Sequence, residues 1–105
     1  MKIFKNIDEK FEDIGFKKVK DDEYLVTYER YNGKYKYIQV LNICHKKDGR
    51  HIIQSYDKDL FDKKGIGNTC VGLTYYETKL TLKKMKKKKM AQMIDRRYFK
   101  WKKIV

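Results

Sequence analysis

The stretch from Glu23 to His45, EYLVTYERYNGKYKYIQVLNICH, carries the reading of the fold. On either side of Asn32-Gly33 lie runs rich in Tyr, Val, Ile and Thr. Glu23 to Tyr31 and Lys34 to His45 are therefore expected as two antiparallel strands. Asn-Gly is the favoured pair for a two-residue type I′ turn, whose central residues both need positive φ. Pairing outward from such a turn sets Arg30 opposite Tyr35, Glu29 opposite Lys36, Tyr28 opposite Tyr37, Thr27 opposite Ile38 and Val26 opposite Gln39. Alternation places Tyr24, Val26, Tyr28, Tyr37, Leu41 and Ile43 on one face, the expected core face of the sheet.

Beyond His45 a second turn is expected at Lys47-Asp48-Gly49, with Gly49 free to take the left-handed position, and a further strand over Arg50 to Tyr56. Before Glu23, Phe16 and Val19 fit a short strand ending at Asp21-Asp22. Ile3, Phe4, Ile7, Phe11 and Ile14 mark one face of an initial helix that Gly15 terminates. Lys58 to Gly72 has no period and reads as a loop. Thr74-Tyr75-Tyr76-Glu77 is a capping box, in which hydroxyl and carboxylate each satisfy a free backbone amide. No Gly or Pro follows before Val105, so one long helix is expected, its distal half projecting or packing on another copy. Its apolar stripe runs through Tyr76, Leu80, Met90, Ile94, Tyr98, Trp101 and Val105, with Lys83 and Lys87 interrupting it. The expectation is an α+β fold of order α-β-β-β-α: an antiparallel sheet of three or four strands, an N-terminal helix and a long basic C-terminal helix. Residues 1–105 form one domain, with 79–105 as a basic helical arm.

The charge is local. Lys79 to Val105 holds twelve Lys or Arg against one acid, Asp95, a net of +11, while the first 78 residues hold fifteen against thirteen. So dense a cluster of one sign repels itself until an anion lies against it, and phosphate backbones are the first candidate. Lys79, Lys83, Lys84, Lys86, Lys87, Lys88, Lys89, Arg96, Arg97 and Lys100 are the expected nucleic-acid contacts. Mostly Lys, they act as point charges and predict backbone contact with little base reading. Met90, Ile94, Tyr98 and Trp101 form the expected partner interface for a second copy or a host protein. The alternative function is therefore a protein-interaction module, self-associating or inhibiting a host factor, with no direct nucleic-acid contact.

The remaining chemistry-bearing residues lead elsewhere. His45 and His51 face each other across the second turn, alternation sends Cys44 to the opposite face, and no spacing matches a zinc pattern. Gly65-Ile-Gly67-Asn68 lacks the third glycine of a dinucleotide turn. No carboxylates pair for acid–base work, so neither an enzyme, a metal site nor a cofactor is expected. The amino terminus is charged from Lys2, no apolar run reaches signal-peptide or membrane-span length, and two cysteines are too few for a disulfide framework. Together these point to a cytoplasmic location.

Two resemblances follow. Helix, hairpin, third strand, helix is also the order of the double-stranded-RNA-binding domain, and Lys83-Lys84 through Lys89-Met90-Ala91 is similar to that family's lysine-rich helix start. The chain departs from it in its tight Asn32-Gly33 turn and in lacking Gly-Pro-x-His. Phe11-x-x-Ile14-Gly15-Phe16-Lys17-Lys18-Val19, the Tyr-rich hairpin and the capped final helix resemble small uncharacterised phage and prophage proteins of low-GC Gram-positive bacteria. That likeness implies an accessory protein acting on nucleic acid or on a host factor, without enzymatic activity.

Overall fold

A computed structural model describes residues 5–60 and 70–104, with side chains as far as Lys89. Helix α1 (Ile7–Asp13) leads into a four-stranded antiparallel sheet of strands β1 (Lys17–Asp21), β2 (Leu25–Asn32), β3 (Tyr37–His45) and β4 (His51–Asp57), in the order β1-β2-β3-β4. Helix α2 (Tyr75–Ile104) closes the chain, giving the expected α+β class. At 1.5 Å per residue its thirty residues extend about 45 Å.

Local chemistry sets both ends of α1. Asn6 caps it by accepting from the Glu9 N–H at 2.8 Å. At the other end Gly15 sits at φ +94, its N–H donating to the Glu12 carbonyl at 2.9 Å while the Phe16 N–H donates to the Phe11 carbonyl at 2.9 Å. This is a Schellman ending, and the Phe11 and Phe16 rings meet edge-on at 5.8 Å as its apolar contact. Ile3 and Phe4, expected within this helix, lie outside the described residues.

The central hairpin departs from expectation. Asn32 Oδ1 accepts from the N–H groups of both Lys34 and Tyr35 at 3.1 Å, an Asx-type turn that competes with the type I′ alternative. Lys36 takes the left-handed conformation, at φ 53, and the loop becomes Gly33 to Lys36, with Asn32 opposite Tyr37. Every partner moves four residues: Tyr28 faces Leu41 instead of Tyr37, and Val26 faces Ile43 instead of Gln39. Because the displacement is even, the side chains keep their faces. The register also matches apolar with apolar and lets Thr27 Oγ1 donate to Asn42 Oδ1 at 2.7 Å.

The second turn forms as expected. Gly49 takes φ +90 and the Lys46 N–H donates to the Arg50 carbonyl at 2.8 Å. In the segment expected as loop, residues 58–60 form a helical turn and Cys70 bridges to Tyr56. Gly65, Gly67 and Asn68 lie outside the described residues.

The core is the layer between sheet and helices: Phe11, Phe16, Val26, Tyr28, Leu41, Ile43 and Leu80. Tyr28 is fully buried and stacks on Phe11 at 4.2 Å, as the expected core face requires. Tyr24 precedes the first residue of β2 and is exposed, and Tyr37 is half-buried; both fall short of the core role expected of them.

Candidate polyanion-binding face

Helix α2 begins as its sequence dictates. The Glu77 N–H donates to Thr74 Oγ1 at 3.1 Å and the Thr74 N–H donates to Glu77 Oε1 at 2.9 Å. Glu77 is nevertheless buried, and its second oxygen lies 2.7 Å from Arg30 Nη1. Arg30 also donates to the Ile14 carbonyl at 3.2 Å and to Gln39 Oε1 at 2.8 Å, with its guanidinium 4.2 Å from the centre of the Phe16 ring. One guanidinium thus joins the end of α1, the middle of the sheet and the start of α2.

From Glu77 the buried seam continues through Leu80, Thr81 and Lys84 to half-buried Lys88, the spacing of one helical face. The expected stripe is therefore rotated: Tyr76 is 49% exposed and Lys83 and Lys87 face outward, while Lys84 is only 9% exposed. The reason lies on the opposing surface. Lys84 Nζ donates to Asp8 Oδ1 at 3.1 Å, and Lys88 Nζ is paired with Asp21 Oδ1 and donates to the Asp22 carbonyl at 3.2 Å. Lys18 bridges the two carboxylates, 2.9 Å from Asp8 and 3.1 Å from Asp21, and the Tyr28 hydroxyl donates to Asp8 at 2.6 Å.

Electrostatics follow the geometry. Burial alone would raise the Asp8 carboxyl, but the bonds from Lys18, Tyr28 and Lys84 outweigh it and hold the group well below the usual carboxylate range. Asp21 is lowered in the same way, burial opposing and Lys88 and Lys18 prevailing. Burial, and then the bond to Asp8, push the Tyr28 hydroxyl far above its ordinary value.

Lys84 and Lys88 are thus corrections to the expected contact set: both ammonium groups are matched by carboxylates of the same molecule. The opposite face differs. Lys79, Lys83, Lys86, Lys87 and Lys89 are exposed, and no carboxylate among the described residues pairs with them. Arg96, Arg97 and Lys100, and the expected interface residues Met90, Ile94, Tyr98 and Trp101, have side chains outside the described set. Reading the chain by apolar stripe missed Asp8, Asp21 and Arg30 as docking groups. The signal was present in the capping Glu77, because residues three, four, seven and eleven positions on are Leu80, Thr81, Lys84 and Lys88.

His45 and His51 meet as expected, Nδ1 to Nδ1 at 2.7 Å, and Cys44 pairs with Ile52 and Leu25 on the other face. His45 is buried with its Nε2 unpartnered. Among the described residues no three His, Cys, Asp or Glu side chains come together as a metal-binding group, and no helix is long and apolar enough to cross a membrane. No protein-family model matches the chain, and neither a curated protein nor a solved structure is significantly similar to it.

Proposed function

We propose that the protein binds nucleic acid without sequence preference, through phosphate contacts made by the outward face of α2. The observation that supports this is the division of the helix lysines. Two are used up in docking, while Lys79, Lys83, Lys86, Lys87 and Lys89 project from the same rod without a counter-charge among the described residues. Like charges at i, i+4 spacing, as in Lys79–Lys83 and Lys83–Lys87, cost a few tenths of a kcal/mol per pair in the free protein. A polyanion removes that cost and releases its counterions, so the row is held ready for one. With the helix anchored at its start by Glu77 and Arg30, the lysines are presented on a rigid support.

Salt dependence is the test. Titrating a labelled 20-base-pair duplex with the full chain between 50 and 200 mM salt, five neutralised phosphates give a slope of log affinity against log salt of about −4.5. Each of Lys83→Ala, Lys86→Ala and Lys87→Ala reduces that slope by about 0.9. A flat dependence overturns this reading in favour of a protein-interaction module.

A further inference from the structure

The outward face of α2 is not purely cationic. Tyr75 is 79% exposed, Tyr76 49% and Leu82 52%, and the hundred-degree step of a helix puts Tyr75, Lys79, Leu82, Lys83 and Lys86 on the side opposite Glu77, Leu80, Thr81, Lys84 and Lys88. Tyr75 and Lys79 are one turn apart, and the Lys79 ammonium lies 5.3 Å from the centre of the Tyr75 ring. That contact holds the ring by a cation–π attraction and leaves its bulk in water. The face thus sets exposed aromatic surface in line with its lysines. A duplex keeps its base faces stacked inside, where such a ring cannot reach them; a single strand offers a flat π-face beside every phosphate.

Building on the polyanion reading above, we infer that this stripe is a site for single-stranded nucleic acid, in which Lys79, Lys83 and Lys86 follow the phosphates and the Tyr75 ring stacks on an unpaired base. Tyr76 borders the same stripe and widens the platform. The chemistry recognised is an unpaired base attached to a phosphodiester chain, with no base identity read, since every base has a π-face.

Three probes test it with the full chain and its variants: a fluorescein-labelled twenty-residue oligothymidylate, the same backbone without bases, and a labelled 20-base-pair duplex. The stripe predicts that the single strand binds more tightly than the duplex and that the abasic backbone loses about 5-fold or more, the effect of one lost stacked base. Tyr75→Ala weakens the oligothymidylate by the same factor, Tyr75→Phe restores it, and neither changes duplex or abasic binding more than about twofold. Tyr35→Ala is the control: Tyr35 is also well exposed, at 68%, and also lies near a lysine, but belongs to the β2–β3 loop, and its loss leaves binding unchanged. Equal binding of oligothymidylate and abasic backbone, with Tyr75→Ala silent, overturns the stacking site and leaves phosphate binding standing. Failure of all three nucleic acids to bind overturns both.

Discussion

Lys84 donates to Asp8 at 3.1 Å across 76 residues of sequence, and this contact closes α2 onto α1. Asp8 also accepts from Tyr28 and Lys18, so removing its charge leaves the buried Lys84 ammonium only the more distant Asp21 carboxylate, 3.9 Å away, and weakens the acceptor of the buried Tyr28 hydroxyl. Asp8→Asn is expected to cost about 1–3 kcal/mol of unfolding free energy. In a double-mutant cycle, Asp8→Asn and Lys84→Met couple by about 0.5–3 kcal/mol. Lys83→Ala, one residue away on the outer face, changes stability by no more than about 0.5 kcal/mol. Urea denaturation of the five proteins checks these statements, and on the proposed function the reverse ranking in nucleic-acid affinity separates the docking Lys84 from the outward-facing Lys83.

Arg30 is the second fastening of α2. Its fork meets Glu77, Gln39 and the Ile14 carbonyl at once, and a lysine offers only a point charge in place of that planar set. Arg30→Met leaves Glu77 buried and unpaired, a loss of about 3–5 kcal/mol. Arg30→Lys is expected to recover only part of it. Thermal melts of both variants measure the difference, and near-wild-type stability in Arg30→Lys would show that the fork geometry contributes little.

Much of this architecture was legible in the sequence because the relevant signals are local. The Gly15 cap, the Gly49 turn and the Thr74–Glu77 box each involve residues a few positions apart, and all three form as the residue types require. Face alternation placed Val26, Tyr28, Leu41 and Ile43 correctly even though the register was displaced, because a displacement of four preserves parity. What escaped was a competition and a long-range pairing. Asn32 can either enter a type I′ turn or accept from the amides ahead of it, and the dipeptide alone does not decide which wins. The seating of Lys84 and Lys88 depends on Asp8 and Asp21, 76 and 67 positions earlier, which no periodicity within α2 can report.

Two glycines at positive φ separate strain from crowding. A Cβ at Gly15 would come 3.2 Å from Arg30 Cδ, an atom held by the guanidinium's three partners, whereas a Cβ at Gly49 meets nothing within 4 Å. Gly49→Ala is expected to cost about 1–2 kcal/mol, from the left-handed backbone alone. Gly15→Ala costs more than that, because Arg30 must yield as well. Denaturant midpoints of the two variants order them, and equal losses would mean that Arg30 gives way freely.

Acid should weaken the fold in two windows. Burial, and then the charges of His51 and Lys88, lower His45 from its ordinary 6.5, so the unfolded chain takes up that proton first. The His45 contribution is complete above about pH 6.5 and is lost as the pH falls through the lower folded value. Asp8 and Asp21 are also depressed, from 3.8, and their contribution persists down to that value before being lost as each folded carboxylate protonates. Stability therefore begins to decline below pH 6.5 and declines further below about pH 4. His45→Gln removes the first step and Asp8→Asn shrinks the second. Urea midpoints at half-unit intervals from pH 7.5 to 3, with imidazole resonances followed in parallel, measure both; a first step that survives in His45→Gln assigns it to another group.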